Sequence, residues 1–179
     1  MSENKIISPF SLKEKPSLIE KLLPVQKLSI EAYKEQMAGA GKTLAPLGSY
    51  WKGRKPLILN KACILGALLP ATEELGKDLE IFEMLMGMDD VSLKKRLKLN
   101  ISMPLPELSY KEMVSIGKRP EEIINVIDDH IWEKINAHLG TDAGSMFELI
   151  EQLGIMRFGH RPKIADTFCG SGQIPFEAA

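Results

Sequence analysis

Proline and glycine cut this sequence into short helical pieces, and that punctuation limits what the chain can fold into. It has 11 prolines and 14 glycines in 179 residues. A proline inside a helix removes a hydrogen-bond donor and clashes with the preceding turn, so each one ends or restarts a helix. Between the breaks, apolar residues recur every three or four positions, the helical period. Leu18, Ile19, Leu22 and Leu23 form one stripe after Pro16, and Pro24 interrupts it. Val25, Leu28, Ala32 and Met37 continue at helical spacing, and Gly39, Gly41 and 46–49 mark a long loop. Pro56 suits the first turn of the next helix, where its missing N–H has no partner to lose. That helix carries Leu57, Ile58, Ala62, Leu65, Leu68 and Leu69 and stops at Pro70. It is apolar on most sides and is expected to be central.

Further on, short helices are expected over 78–86 and 92–99, then a loop over 102–106. Ser109 and Glu112 have the spacing of a capping box for another helix. The longest helix is expected over 120–139. Ile123, Ile124, Ile127, Ile131, Ile135 and Leu139 line one face, Glu121 and Glu122 sit at its start, and Gly140 ends it. Another is expected over 145–153, closed by Gly154. The first fifteen residues are polar without a sustained period and read as a flexible arm. Residues 16–155 then form a mainly α-helical domain.

Composition is that of a globular chain, with 44% hydrophobic and 26% charged residues, which excludes a disordered, collagenous or disulfide-stapled protein. No apolar run is long enough to span a bilayer, and the N-terminus lacks an export signal, so a cytoplasmic location without a membrane is expected. Cys63 and Cys169 are far apart and have no zinc-ligand spacing. The net charge of −1 hides a gradient, +6 over 1–61, −2 over 62–98 and −5 over 99–179. A basic front can meet a polyanion or can be a solvated face. Within it, Trp51, Lys52, Arg54 and Lys55 place an aromatic beside three cations, which suits phosphate and base contacts in DNA. The same stretch also reads as an amphipathic loop anchored by a buried tryptophan.

The character changes at the end. Residues 163–168 read as a short strand that runs into Cys169-Gly170-Ser171-Gly172 and then a starting helix. A strand, a glycine turn and a helix start can bind a nucleotide-like ligand, because the glycines admit it close to the backbone and the helix offers free N–H groups. Pro175 occupies the third glycine position of the dinucleotide fingerprint, and no Gly-Lys-Ser/Thr follows, so neither dinucleotide nor phosphate-loop binding fits. A chance turn of small packing residues is the alternative.

The string Asp166-x-Phe168-x-Gly170-x-Gly172 resembles motif I of S-adenosylmethionine-dependent amino-methyltransferases, which methylate DNA bases. The resemblance implies an α/β Rossmann-like domain beginning over 160–179. Asp166, Phe168, Gly170 and Gly172 would hold the cofactor, with Thr167, Cys169 and Ser171 giving backbone contacts. Upstream islands occur in the same order in predicted adenine-specific DNA methylases that carry an N-terminal domain of unknown function. These are Leu23-Pro24-Val25, the stretch from Tyr50 through Trp51, Lys52, Gly53, Arg54, Lys55 and Pro56 to Leu57, and Leu68-Leu69-Pro70. The middle island departs from the group's Trp-Trp-Ala-Arg-Arg-Pro-Leu at Tyr50, Gly53 and Lys55. By the same resemblance, Lys55 and Pro56 open a helix that lies beside the cofactor strand and completes the pocket, with the 110 residues from Pro56 to Asp166 looped out.

The implied reaction moves a methyl group from S-adenosylmethionine to the exocyclic amino group of adenine in DNA, flipped out of the duplex. The catalytic Pro-Pro-aromatic motif does not occur in these residues, so the fragment alone is expected to be inactive, with weak or no cofactor binding. Its partners would be DNA, the missing C-terminal methyltransferase domain, or a companion restriction or defence protein. The alternative is a helical DNA- or protein-binding module without catalysis.

Other features carry less. Gly39-Ala40-Gly41-Lys42-Thr43 resembles the end of a phosphate loop but follows a helix and has Gln36 where the first glycine belongs. His130 and His138, eight residues apart on one predicted helix, are too distant to share a metal. His138 is expected to be structural, His160 a loop residue, and Met84, Met86 and Met88 core filler. Asp89-Asp90 and Asp128-Asp129 are expected to be surface or capping carboxylates.

Overall fold

A computed structural model describes residues 7–39, 56–123, 127, 129–167 and 172–179. The described residues are mainly helical, and no strand occurs among them. The α-helices are α1 (Val25–Gly39), α2 (Leu57–Leu68), α3 (Leu75–Met86), α4 (Asp90–Arg96), α5 (Tyr110–Ile116), α6 (Asp129–Leu139), α7 (Met146–Phe158) and α8 (Gln173–Ala178). Two compact units share them. The first takes Met1–Leu23, Leu65–Leu85 and Ile127–Lys163; the second takes Pro24–Ile64, Met86–Val126 and Ile164–Ala179. No helix is long and apolar enough to cross a membrane.

In the first unit, Leu18, Leu69, Phe82, Leu85, Ile135, Leu149 and Leu153 are fully enclosed. The expected helix after Pro16 shrinks to a 3-10 turn over Leu18–Glu20. The competing structure is a short antiparallel bridge between Ser17 and Pro70. Leu18 N–H donates to Leu69 O at 2.9 Å, and Ala71 N–H donates to Pro16 O at 2.8 Å. Residues near the start also meet α7: Phe10 N–H donates to Ile155 O at 3.1 Å and Leu12 N–H to Met156 O at 2.8 Å.

Arg157 on α7 is buried, and among the described residues no carboxylate is paired with it. Its Nε donates to Leu68 O at 2.5 Å and its Nη2 to Leu69 O at 2.9 Å, the last carbonyls around the end of α2. Nη1 reaches Lys15 O at 3.1 Å and Nη2 reaches Pro16 O at 3.3 Å. Four backbone carbonyls from two chain segments thus satisfy one guanidinium, whose planar fork suits such divergent acceptors. Burial lowers its pKa, and Glu20 opposes that.

Gly154 does not end α7, as its place in the sequence suggests; the helix runs through it to Phe158. A Cβ at Gly154 would lie 2.2 Å from Pro162 Cδ, so the glycine serves packing rather than termination. Gly159, at φ +75°, makes the stop. Likewise the helix expected over 120–139 is broken. A 3-10 turn covers Pro120–Glu122, Ile123 is extended at φ −109° and ψ 119°, and α6 starts only at Asp129. The β-branched run there lowers helix propensity, and Glu122 bonds back to Arg119 N–H at 2.8 Å to close the short turn.

In the second unit, Leu93, Met113 and Val114 form a buried cluster, with Ile30, Leu97, Leu105 and Tyr110 packed on it. Arg96 on α4 is 1% exposed and Glu31 on α1 is 2% exposed. They form a two-pronged pair, Nη1 to Oε1 at 2.6 Å and Nη2 to Oε2 at 2.8 Å. Arg96 also donates to Lys118 O and Gly87 O, and Tyr110 Oη donates to Glu31 Oε1 at 2.7 Å. Burial, then the Glu31 charge, pushes the Tyr110 hydroxyl far up. Lys34 Nζ donates to the carbonyls of Val114 and Gly117 at the end of α5, where the helix dipole favours a cation.

Several expectations hold. Ser109 and Glu112 make their capping box at the start of α5. Asp89 caps α4 by accepting from Val91 and Ser92 N–H. Met86 and Met88 are buried. The strand expected over 163–168 does not appear: 163–166 carry no regular structure and 167 is in a turn. A strand exists through its ladder, and no described segment supplies a neighbour.

Candidate cofactor site

The residues that the sequence proposes for a cofactor come from two distant stretches, and the second unit contains the described part of both. Pro56 is buried at the start of α2. Its carbonyl accepts from Leu59 N–H at 3.1 Å and Asn60 N–H at 3.4 Å. The first two N–H groups of α2 go elsewhere. Leu57 N–H donates to Glu35 Oε1 at 2.7 Å, and Ile58 N–H donates to Glu35 Oε2 at 3.1 Å. A carboxylate from α1 therefore closes the positive end of α2.

Asn60 and Lys61 are the polar residues of an otherwise apolar helix. Asn60 is 7% exposed, and its Nδ2 has no hydrogen-bond partner among the described residues. Lys61 is half-buried. Burial lowers its pKa, against the opposing charges of Glu177 and Glu121. Glu177, on α8, is half-buried too, and burial raises its carboxyl, with Lys61 pulling it back and Glu35 and Glu121 raising it further. The electrostatics thus couples α2 to the helix that follows the glycine string.

Gly172 starts α8 at φ +73°, a backbone conformation that favours glycine. Asp166 is half-buried and Thr167 exposed in the irregular stretch before it. Phe168, Cys169, Gly170 and Ser171 lie outside the described residues, as do Trp51, Lys52, Arg54 and Lys55. No cluster of metal-ligating side chains occurs among the described residues. Glu35, Asn60, Lys61 and Glu177 were not singled out from sequence. A readable signal existed for two of them, because Asn60-Lys61 interrupts the apolar run from Leu57 to Leu69. Glu35 gave none, being 22 residues from the helix it caps.

In the first unit, the nearest thing to a reactive arrangement is His138 with Asp78. His138 Nε2 and Asp78 Oδ1 are 2.6 Å apart. Asp78 also accepts from Thr72 N–H at 2.7 Å and from its hydroxyl. Thr72, Asp78 and α6 are tied together by it, in keeping with the structural role expected for His138. His130 is exposed beside Glu133, and His160 Nδ1 lies 2.7 Å from Arg161 O.

Comparison with protein families matches residues 22–85 to a family described as a protein of unknown function (DUF1156). The match covers less than half of the chain and includes the three upstream islands. No curated protein and no solved structure matches.

Proposed function

We propose that this chain is the N-terminal part of an S-adenosylmethionine-dependent methyltransferase that acts on the exocyclic amino group of adenine in DNA. The reading rests on the motif-like string Asp166-x-Phe168-x-Gly170-x-Gly172. The observation that carries it furthest is the presence in one compact unit of Pro56 with the first part of α2, up to Ile64, and of the described residues 164–167 and 172–179, with Pro56 and Asp166 110 residues apart in sequence. The mutual influence of Lys61 and Glu177 supports that neighbourhood. The matched family has no described activity and adds none.

In this reading Asp166, Thr167, Phe168, Cys169, Gly170, Ser171 and Gly172, with Lys55 and Pro56, would hold the cofactor, which supplies the electrophilic methyl group. Trp51, Lys52, Arg54 and Lys55 would face DNA. The target amine would be positioned by a Pro-Pro-aromatic motif supplied outside these residues. Glu35 sharpens one point. It holds the first two N–H groups of α2, so α2 would meet the cofactor through side chains rather than through its helix end.

Two experiments test the reading. The reading frame downstream of Ala179 should continue into further βα units and a Pro-Pro-aromatic motif; a stop codon there would favour a truncated gene product or the binding module. The isolated chain should not methylate DNA, and should bind S-adenosylmethionine only weakly, with Asp166→Ala abolishing the residual signal in ligand-observed NMR. One observation favours the second reading, a helical protein-binding module. Val25, Tyr33 and Met37 on α1 are all exposed and recur at helical spacing.

A further inference from the structure

We propose that Asn60 is a ligand-binding residue whose carboxamide N–H donates to an uncharged acceptor on the nucleoside half of S-adenosylmethionine, a ring nitrogen or a ribose hydroxyl. This inference rests on the methyltransferase reading above and extends it to a residue outside the motif-like strings.

A buried amide donor without an acceptor is destabilising, and native proteins keep few of them. Asn60 is such a donor, in a helix whose neighbouring positions Ile58, Ala62 and Leu65 are apolar and buried. A leucine there would fill similar volume without the penalty. A carboxamide at such a position is explained if its acceptor arrives with a ligand.

The surroundings choose the kind of acceptor. The backbone donors at the start of α2 are already taken by Glu35 and by the Pro56 carbonyl. Among the described residues, the cation alongside is Lys61, and it is outnumbered by Glu177 and Glu121, which act on it, and by Glu35, which acts on Glu177. A further carboxylate, such as that of the methionine half, would meet like charge there. A neutral heteroatom meets no such repulsion, and the cofactor's sulfonium charge is compatible with acidic surroundings.

The test uses the 179-residue chain. Asn60→Leu is compared with wild type by thermal melting and by saturation-transfer NMR with millimolar S-adenosylmethionine, adenosine and methionine. The expected result is a melting temperature equal to or above that of wild type, with the S-adenosylmethionine and adenosine signals reduced at least tenfold. A lower melting temperature would mean that Asn60 serves the fold, and would overturn the proposal. If Asn60→Leu does not fold, Asn60→Ala takes its place; an unfolded Asn60→Ala has the same meaning. Equal binding of S-adenosylmethionine by wild type and variant overturns the role of Asn60 and leaves the methyltransferase reading standing. An Asn60-dependent signal from methionine but not adenosine overturns the assignment to the nucleoside half. No signal from wild type with any of the three overturns this inference and leaves the methyltransferase reading, which expects weak or no binding by the fragment, standing.

Discussion

The two units each bury an arginine, and they satisfy it by opposite means. In the first unit Arg157 is surrounded by backbone carbonyls of Lys15, Pro16, Leu68 and Leu69. In the second unit Arg96 is matched by the carboxylate of Glu31, which also takes the Tyr110 hydroxyl. Carbonyl groups cost less to desolvate than a carboxylate, but they supply only partial charge. A buried ion pair is worth little against an apolar replacement of both members, yet losing one member strands the other. The first unit therefore uses its arginine to fasten chain segments, and the second uses its own to fix which helices pair.

The largest expected effect breaks the second arrangement. Glu31→Leu should cost about 3–5 kcal/mol, because Arg96 is left buried without its counter-charge. Adding Arg96→Met should recover most of that, measured by urea unfolding of the single and double variants. A double variant no better than the single would mean that the pair is not the unit of stability. Next, Arg157→Met should cost about 2–3 kcal/mol by orphaning buried carbonyls. Hydrogen exchange should rise in 65–85 and 127–163 for this variant, and in 86–123 for Glu31→Leu. Identical exchange maps would dissolve the distinction between the units.

A third substitution probes packing in the first unit alone. Gly154→Ala should cost about 2 kcal/mol through its collision with Pro162, and Pro162→Ala should relieve it. His138→Gln should cost about 1 kcal/mol, a single hydrogen bond to Asp78. The smallest effect concerns pH. Lys61 has its pKa lowered by burial, so between the lowered value and the ordinary lysine value the unfolded chain binds more protons. Stability should then rise with pH across that alkaline window. Lys61→Met should flatten the rise, and an unchanged slope in urea titrations would count against the burial of its ammonium.

Much of the helical plan was legible because its signals are local. Pro56 marks the start of α2, Asp89 and Ser109 mark caps, and Gly140 follows α6 at φ +73°. What escaped was decided by neighbours far along the chain. Gly154 looks like a stop until Pro162 is seen against it. Ile123 fits an apolar stripe, but the turn closed by Glu122 takes the backbone out of the helix before it. Glu31 and Arg96, 65 residues apart, carry no spacing that predicts their pairing. Of the candidate site, the glycine string and Pro56 could be read directly. Glu35 and Glu177 required the fold, and Asn60 showed only as a polar break in an apolar run, because burial and missing partners are not properties of a sequence.

The grip of Arg157 also has a consequence for how the protein is made. Its acceptors lie 88 to 142 residues earlier in the chain. A ribosome must pass Arg157 before the first unit can lock residues 15 and 16 in place. Closing so long a loop is slow, since its entropy must be overcome before any contact compensates. The Glu31–Arg96 pair of the second unit is complete much sooner. During synthesis the second unit's inner pair thus forms while the Arg157 contacts of Lys15 and Pro16 still wait.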